Sequence, residues 1–313
     1  MKSSEKFISI IITVFNEEGN VKPLHREIKK AVAEYKLKAE IIFVNDGSSD
    51  KTGKNLKELK PIRIISFRRN FGQTAALDAG IKAAKGDILV TMDGDRQNDP
   101  MDIKLLLDKM DQGYDVVSGW RKNRKDSFFK KFFSRGANKL RKFLIDDQIN
   151  DSGCSLKAYK KECFRQVDLY GEMHRFIPAL LKIEGYRIGE VGVNHRPRIK
   201  GVSKYNWKRL IKGILDLISV WFWKKFANRP LHLFGGWGFI LLGMGALILV
   251  WQFVERFFFG EPLSNRIWPL VGIFMLIVGF QFIISGLMAD ISVKTYYQTK
   301  NKRAYSIKKI IEN

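Results

Sequence analysis

Cysteine is nearly absent from this chain. Only Cys154 and Cys163 occur in 313 residues, with no CxxC pair and no histidine cluster beside them. A disulfide framework and a structural zinc site therefore have no basis, and both residues read as reduced packing thiols. His25, His174, His195 and His232 show no ligand spacing. Acidic residues are scarce relative to basic ones, with 32 Asp plus Glu against 55 Lys plus Arg, a formal charge of +23. Such an excess calls for an anionic partner, whether a lipid surface, a nucleic acid or a phosphorylated substrate, without choosing among them. The phosphate cradles of ATPases and dinucleotide oxidoreductases are missing, since neither GxxxxGK[ST] nor a strand-linked GxGxxG is found. The apolar run Phe7–Phe15 is too short to span a bilayer and no small-residue cleavage site follows it, so no secretory signal is expected.

Charge itself is missing from two long stretches. Leu231–Val254 and Trp268–Ala289 contain no Asp, Glu, Lys or Arg over 24 and 22 residues. At about 1.5 Å per residue each covers roughly 33–36 Å of helix, enough to cross a bilayer and too long for an ordinary core helix. Lys208, Arg209, Lys212, Lys224, Lys225 and Arg229 precede the first run, and Lys294, Lys300, Lys302 and Arg303 follow the second. Between them Arg256 and Arg266 are balanced by Glu255 and Glu261. The positive-inside rule then puts both ends in the cytoplasm and the short loop outside. Before the first run, Leu210, Ile211, Ile214, Leu215, Ile218 and Phe222 fall at helical spacing beside Trp221, Trp223 and lysines, as in a helix lying in the interface.

The first 120 residues alternate near-continuous Ile/Val runs (Ile8–Phe15, Ile41–Asn45, Ile62–Phe67, Ile88–Met92, Val116–Val117) with amphipathic stretches such as Val21–Tyr35 and Gln73–Lys85. This pattern predicts an α/β domain with a mostly parallel central sheet, buried on both faces. Ligands of such sheets collect at the carboxyl ends of the strands. Asp46 ends one run, and Asp93 and Asp95 end another within Met92-Asp-Gly-Asp95. Asp-Gly pairs also form ordinary turns. Here, two carboxylates one residue apart at a strand end can hold a hard divalent cation whose other ligands are substrate phosphate oxygens, with the Gln97 amide completing the shell.

Seven ordered motifs then carry a resemblance: Thr13-Val-Phe-Asn-Glu-Glu18, Val44-Asn-Asp-Gly-Ser-Ser-Asp50, Asn70-Phe-Gly72, Met92-Asp-Gly-Asp-Arg-Gln-Asn-Asp-Pro100, Ser118-Gly-Trp-Arg121, Asp151-Ser-Gly-Cys154 and Arg198-Ile-Lys-Gly-Val-Ser-Lys-Tyr205. Together they resemble the polyisoprenyl-phosphate glycosyltransferases of the GT-A, family-2 type, which include dolichol-phosphate mannose synthase and bactoprenol glucosyltransferase. The resemblance covers nearly the whole chain. It implies a membrane enzyme that moves a sugar, with inversion, from a nucleotide-sugar donor to a polyprenyl phosphate, using Mg²⁺ or Mn²⁺. Glucose from UDP-glucose onto undecaprenyl phosphate is the first expectation, with mannose, N-acetylglucosamine or a modified arabinose as alternatives.

Carried over residue by residue, the resemblance places Thr13, Phe15, Glu17, Asp46 and Asp93 at the nucleotide-sugar, and Asp93, Asp95 and Gln97 at the metal. Thr13 and Phe15 depart from the usual proline and tyrosine. Arg121, Arg135 and Arg198 would surround donor and acceptor phosphates, with Ser203 and Lys204 as further donors to the acceptor. A solvated basic face is the competing reading for Arg135 and Arg198. Asp151 would orient a sugar hydroxyl or act as a base, or else cap the following turn. Residues Arg121–Lys142 hold ten Lys/Arg and one acid among Phe128, Phe129, Phe132 and Phe133, as in a segment resting on anionic lipid or an amphipathic helix on the core.

The resulting layout is a catalytic domain over 1–206, an interfacial region over 207–230, spans over 231–254 and 268–289 flanking an external loop 255–267, and a cytoplasmic tail over 290–313. Two spans give a lipid little cover, so a homo-oligomer, dimer or tetramer, is expected in the plasma membrane. A processive polysaccharide synthase would need more spans and a QxxRW motif, which is absent. A membrane-anchored binder of nucleic acid would have no use for Asp93 and Asp95.

Overall fold

The computed structural model describes residues 6–121, 149–165, 167, 169, 173–197, 222, 230–260, 266–298 and 307–312. The interfacial region at 207–230 lies outside them except for Phe222 and Pro230, as does the basic Phe-rich segment after Arg121. The chain divides into two units, 1–220 with 303–313, and 221–302.

The first unit is built on one eight-stranded sheet. Its strands are β1 (Ile8–Val14), β2 (Ala39–Asn45), β3 (Arg63–Phe67), β4 (Ile88–Asp93), β5 (Val116–Trp120), β6 (Lys157–Lys160), β7 (Ile188–Gly192) and β8 (Ile307–Glu312). Their spatial order is β7-β5-β6-β4-β1-β2-β3-β8. β1 pairs in parallel with β2 and β4, β2 with β3, and β5 with β7, whereas β6 and β8 run antiparallel to their neighbours. The expected mostly parallel sheet is present.

Successive residues of β1 explain why its sequence is apolar throughout. Ile8, Ile10 and Ile12 join a core with Val21, Leu24 and Ile28 of α1 (Val21–Glu34) and Ile103, Leu106 and Met110 of α4 (Ile103–Asp111). Ile11 faces the opposite layer, with Ala76 and Ile81 of α3 (Gln73–Ala83) and Ile177 and Leu181 of α5 (Ile177–Ile183). The short α2 (Thr52–Lys57) adds Leu56 to the first core. Each such fully buried aliphatic side chain contributes about 1.5–3 kcal/mol.

Three strands escaped the sequence pattern. β6 carries a lysine at each end, β7 contains two glycines, and β8 contains Lys308 and Lys309. Each is recruited by a neighbouring strand rather than by its own hydrophobicity. Within the region read as a tail, a helix runs on to Gln298 and residues 307–312 form the outermost strand, antiparallel to β3.

The second unit is a helical hairpin, α6 (Pro230–Phe259) and α7 (Trp268–Gln298). Both are long and apolar enough to cross a membrane, over Leu231–Phe259 and Trp268–Ser292. Glycines set their closest approach: a Cβ on Gly238 would lie 2.8 Å from the Gly279 carbonyl oxygen, and one on Gly245 2.8 Å from that of Gly272. Small residues at such spacing let helix backbones touch where no hydrophobic drive exists. Near the turn of the hairpin, Trp251 lies 6.2 Å from Trp268 between ring centroids, and Arg266 pairs with Glu255.

Candidate active site

The carboxyl ends of β1, β2 and β4 bring the candidate residues together, where ligands of parallel sheets collect. Thr13 stands opposite Asp93 across β1 and β4, and Val14 opposite Asn45 across β1 and β2. Gly94 donates its N–H to the Thr13 carbonyl at 3.1 Å, and a Cβ there would meet Val14 Cγ1 at 2.4 Å, so the Asp-Gly-Asp turn presses against β1 as only glycine permits. Gly47 is more constrained still. Its φ is +68 and a Cβ would lie 2.3 Å from the Arg69 carbonyl carbon.

The loops that follow β1 and β2 clasp each other. Asn16, at φ 56, accepts the Ser49 N–H at 2.9 Å, and the Asn16 N–H reaches Ser48 Oγ at 3.0 Å. Glu17 donates its N–H to Thr52 Oγ1 at 2.8 Å while its carboxylate takes Asn20 Nδ2. Phe15 is half-buried beside them. Asp46 is buried, and its two carboxylate oxygens accept the N–H groups of Phe71 and Gly72 at 2.7 and 3.0 Å, which fixes the turn into α3. Burial raises its pKa while those two bonds oppose the rise.

The paired carboxylates sit at the centre. Asp93 Oδ1 accepts Gln73 Nε2 at 2.6 Å, and its N–H reaches Ser155 Oγ at 3.3 Å. Asp95 Oδ1 accepts the Gln97 N–H at 3.1 Å. Burial first, and the neighbouring Asp95 charge second, push Asp93 up to about 6. Beneath them Lys157 is 3% exposed, donates to the Ser152 carbonyl at 3.1 Å, and is pushed down by burial to about 8. Among the described residues no group of three His, Cys, Asp or Glu could hold a metal. The donor set is two hard carboxylates whose mutual repulsion a dication would relieve, which suits an ion that takes its remaining ligands from a diphosphate.

Arg121, partly buried, and Asp151, buried, occur as one unit. Arg121 Nε and one terminal nitrogen bind the Asp151 carboxylate at 2.6 and 2.9 Å, and the Asp151 N–H is held by Glu190 at 3.0 Å. The carboxylate is thus engaged bidentately with Arg121. Arg135, Arg198, Ser203 and Lys204 lie outside the described residues. Cys154 and Cys163 are buried, and burial pushes their thiols up to about 11 and about 12, which keeps them protonated and inert. Sequence reasoning missed Gln73, Ser155 and Lys157. Gln73 directly follows Asn70-Phe-Gly72, a signal that could have found it.

A mostly parallel sheet with a strand-terminal Asp-Gly-Asp, a clasped pair of loops after β1 and β2 and a largely buried arginine is a GT-A fold. The fold is shared with glucosyl-3-phosphoglycerate synthase from Mycobacterium tuberculosis, whose structure with phosphoglyceric acid superposes at TM-score 0.56 with 18% identity, covering 71% of this chain and 81% of that one. The same enzyme with Mn²⁺ and uridine-diphosphate-glucose gives TM-score 0.55 and 17% identity, over 71% and 80% of the two chains.

The chain belongs to glycosyl transferase family 2, whose profile matches residues 9–168. It is 40% identical to a dodecaprenyl-phosphate galacturonate synthase of Rhizobium johnstonii, over 98% of this chain and 93% of that protein. It is 32% identical to an undecaprenyl-phosphate 4-deoxy-4-formamido-L-arabinose transferase of Proteus mirabilis, over 99% and 96%. It is a polyprenyl-phosphate sugar transferase.

Proposed function

We propose that this enzyme transfers a modified sugar, foremost a uronic acid, from a nucleotide-sugar to undecaprenyl phosphate or a related polyprenyl phosphate at the cytoplasmic face of the plasma membrane. The observation that carries the sugar is the 40% identity with the galacturonate synthase across nearly both chains. The relatives at 32% act on another modified sugar, a formamido-arabinose. Glucose, the first expectation from sequence, gives way to this alternative. Homo-oligomer formation belongs to the same reading.

In the displacement, an oxygen of the acceptor phosphate forms a bond to the anomeric carbon from the face opposite the leaving group. The bond from that carbon to the diphosphate oxygen breaks, and its electron pair departs on the diphosphate. The acceptor is already anionic near neutral pH, so no strong base is required. The need is to bring two anions together. Asp93 and Asp95, with Gln97 of the same loop, fit a divalent ion, and Mg²⁺ or Mn²⁺ supplies positive charge beside the leaving diphosphate. Gln73 orients the Asp93 carboxylate. Asp151 holds the Arg121 guanidinium in one direction, leaving its remaining N–H groups to donate to donor phosphate or sugar. Arg135, Arg198, Ser203 and Lys204 are assigned to the acceptor phosphate.

The orientation draws support from β8. The chain that follows the hairpin pairs again with β3 of the catalytic unit, as expected if two crossings leave both flanks of the hairpin in one compartment. A cysteine at position 264 should react with an impermeant thiol reagent from outside intact cells, and one at 306 only after permeabilisation. The reverse pattern would refute the orientation.

The decisive assay offers the purified, detergent-solubilised enzyme UDP-galacturonate, UDP-glucuronate, UDP-glucose and a UDP-4-formamido-arabinose in turn, with undecaprenyl phosphate and Mn²⁺. Label should enter the organic phase most efficiently from the uronic acids. A highest kcat/KM with UDP-glucose would overturn the sugar assignment.

A further inference from the structure

The Asp95 loop has a second set of partners, on the side of α1. Arg96, between Asp95 and Gln97, has φ 62, a left-handed conformation unfavourable for any residue but glycine. Its Nε lies 3.1 Å from Glu27 Oε1 on α1. The other carboxylate oxygen, Glu27 Oε2, accepts from Arg196 at 2.7 Å. Arg196 also meets Asp99 Oδ2 at 2.6 Å, and its N–H donates to the Gln97 carbonyl at 2.9 Å. Beyond that bond, Asn98 and His195 form an antiparallel bridge, and Asp102 accepts both the backbone and the side-chain N–H of Asn194 at 2.6 and 2.9 Å. Residues 97–102 and 194–196 therefore run zipped together, with Glu27 as the counter-ion common to Arg96 and Arg196.

We infer that Glu27 is a positioning residue for sugar transfer. Through Arg96 it holds the left-handed backbone between Asp95 and Gln97. Through Arg196 it holds the chain two residues ahead of Arg198. One carboxylate on α1 thereby couples the metal loop to the acceptor segment, so that donor and acceptor do not bind independently. The inference rests on the metal and acceptor assignments proposed above. Partly exposed ion pairs alone contribute little to stability. The strained residue gives this one a distinct readout.

The test measures Mn²⁺ binding in the presence of UDP by titration calorimetry on the full-length protein in detergent, together with KM for undecaprenyl phosphate. Glu27→Ala should weaken Mn²⁺ about tenfold, the scale of releasing one unsupported left-handed residue, and raise the acceptor KM severalfold. Adding Arg96→Gly should recover the Mn²⁺ affinity, since glycine takes this φ freely. It should leave the acceptor KM high, because Arg196 still lacks Glu27 and keeps only Asp99. A merely structural glutamate would not separate the two quantities. Glu27→Gln keeps the side-chain volume and should shift both in the same directions if the alanine variant fails to fold. If the parent binds Mn²⁺ and the folded Glu27 variants match it in Mn²⁺ affinity and acceptor KM, the inference falls alone, as it does if Arg96→Gly recovers nothing. A parent that binds no Mn²⁺ with UDP overturns the metal assignment and this inference together.

Discussion

Isoleucine, leucine and phenylalanine are used in opposite ways by the two units. In the catalytic unit Ile8, Ile12 and Phe43 are 0% exposed, whereas in the hairpin Leu247, Phe257 and Phe280 are 71%, 72% and 59% exposed. The first unit turns its apolar side chains inward and uses its polar residues for chemistry. The second turns them outward, toward what we read as hydrocarbon, and keeps glycine between its helices. Glycine changes meaning in the same way: Gly47 and Gly94 shape loops at the candidate site, whereas Gly245 and Gly272 set how closely two helices lie. The same residue types are thus selected by chemistry in one unit and by solvent in the other, and damage to one should spare the other.

The largest effect expected from that separation is at Asp95. Asp95→Asn should cut turnover by roughly 10²–10³-fold, because an amide is a poor ligand for a hard cation beside the departing diphosphate. The melting transition and membrane extraction of the variant should match the parent. Parental turnover with Mn²⁺ or Mg²⁺ would remove the metal assignment, and a large loss of folded protein would break the separation between units.

Next in size is Arg198→Ala, expected to lower transfer to undecaprenyl phosphate by about ten- to a hundredfold, the worth of a partly desolvated charged hydrogen bond. Lysine at 198 should rescue only part, since it keeps the charge and loses the planar fork. Donor affinity without lipid should change less than turnover. Parental transfer by Arg198→Ala would move the acceptor clamp to Arg135.

The hairpin offers the complementary perturbation. Gly245→Leu forces a side chain against the Gly272 carbonyl and should destabilise the helix pair by about 1–3 kcal/mol, lowering the thermal midpoint in detergent. Nucleotide-sugar affinity should stay within a factor of two or so of the parent. A tenfold fall in that affinity would show that the units are not separable.

Legibility in sequence divides along a similar line. The first five strands, α1 and α3 were readable because their Ile/Val runs and helical spacing state a demand for burial that no context reverses. The hairpin was readable from the absence of charge alone. Asp93 and Asp95 were readable because a strand end places them in the crevice. Lys157 was not, because a lysine in a four-residue strand carries no mark of burial, and only the neighbouring β4 and β5 put it under the site. The partnership of Glu27 with Arg96 and Arg196 spans up to 169 positions, and no local pattern announces a contact at that distance. β8 was hidden for the same reason, since its value to the sheet appears only when β3 is there to receive it.

The smallest effect lies inside the catalytic unit and follows from the charge of Asp93. Its pKa is raised, chiefly by burial and then by Asp95, from an ordinary 3.8 to about 6. Without metal, the folded state therefore binds a proton more tightly than the unfolded chain does. The stability linked to this group is present below the ordinary value and is lost as pH rises through about 6. Acidifying the metal-free protein from pH 7 to pH 5 should then raise the melting temperature of the parent relative to Asp93→Asn, which has no proton to gain. Mn²⁺ with UDP should reverse the trend, because the ion needs the ionised carboxylate, and its affinity should fall by up to about tenfold per unit below pH 6 as the proton competes. Burial raises Asp46 and Asp102 as well, and subtracting the Asp93→Asn curve isolates the contribution of Asp93. If the two curves ran parallel from pH 7 to pH 5, Asp93 would be an ordinary ionised aspartate, and the mutual repulsion that marks the pair as a cation site would be gone.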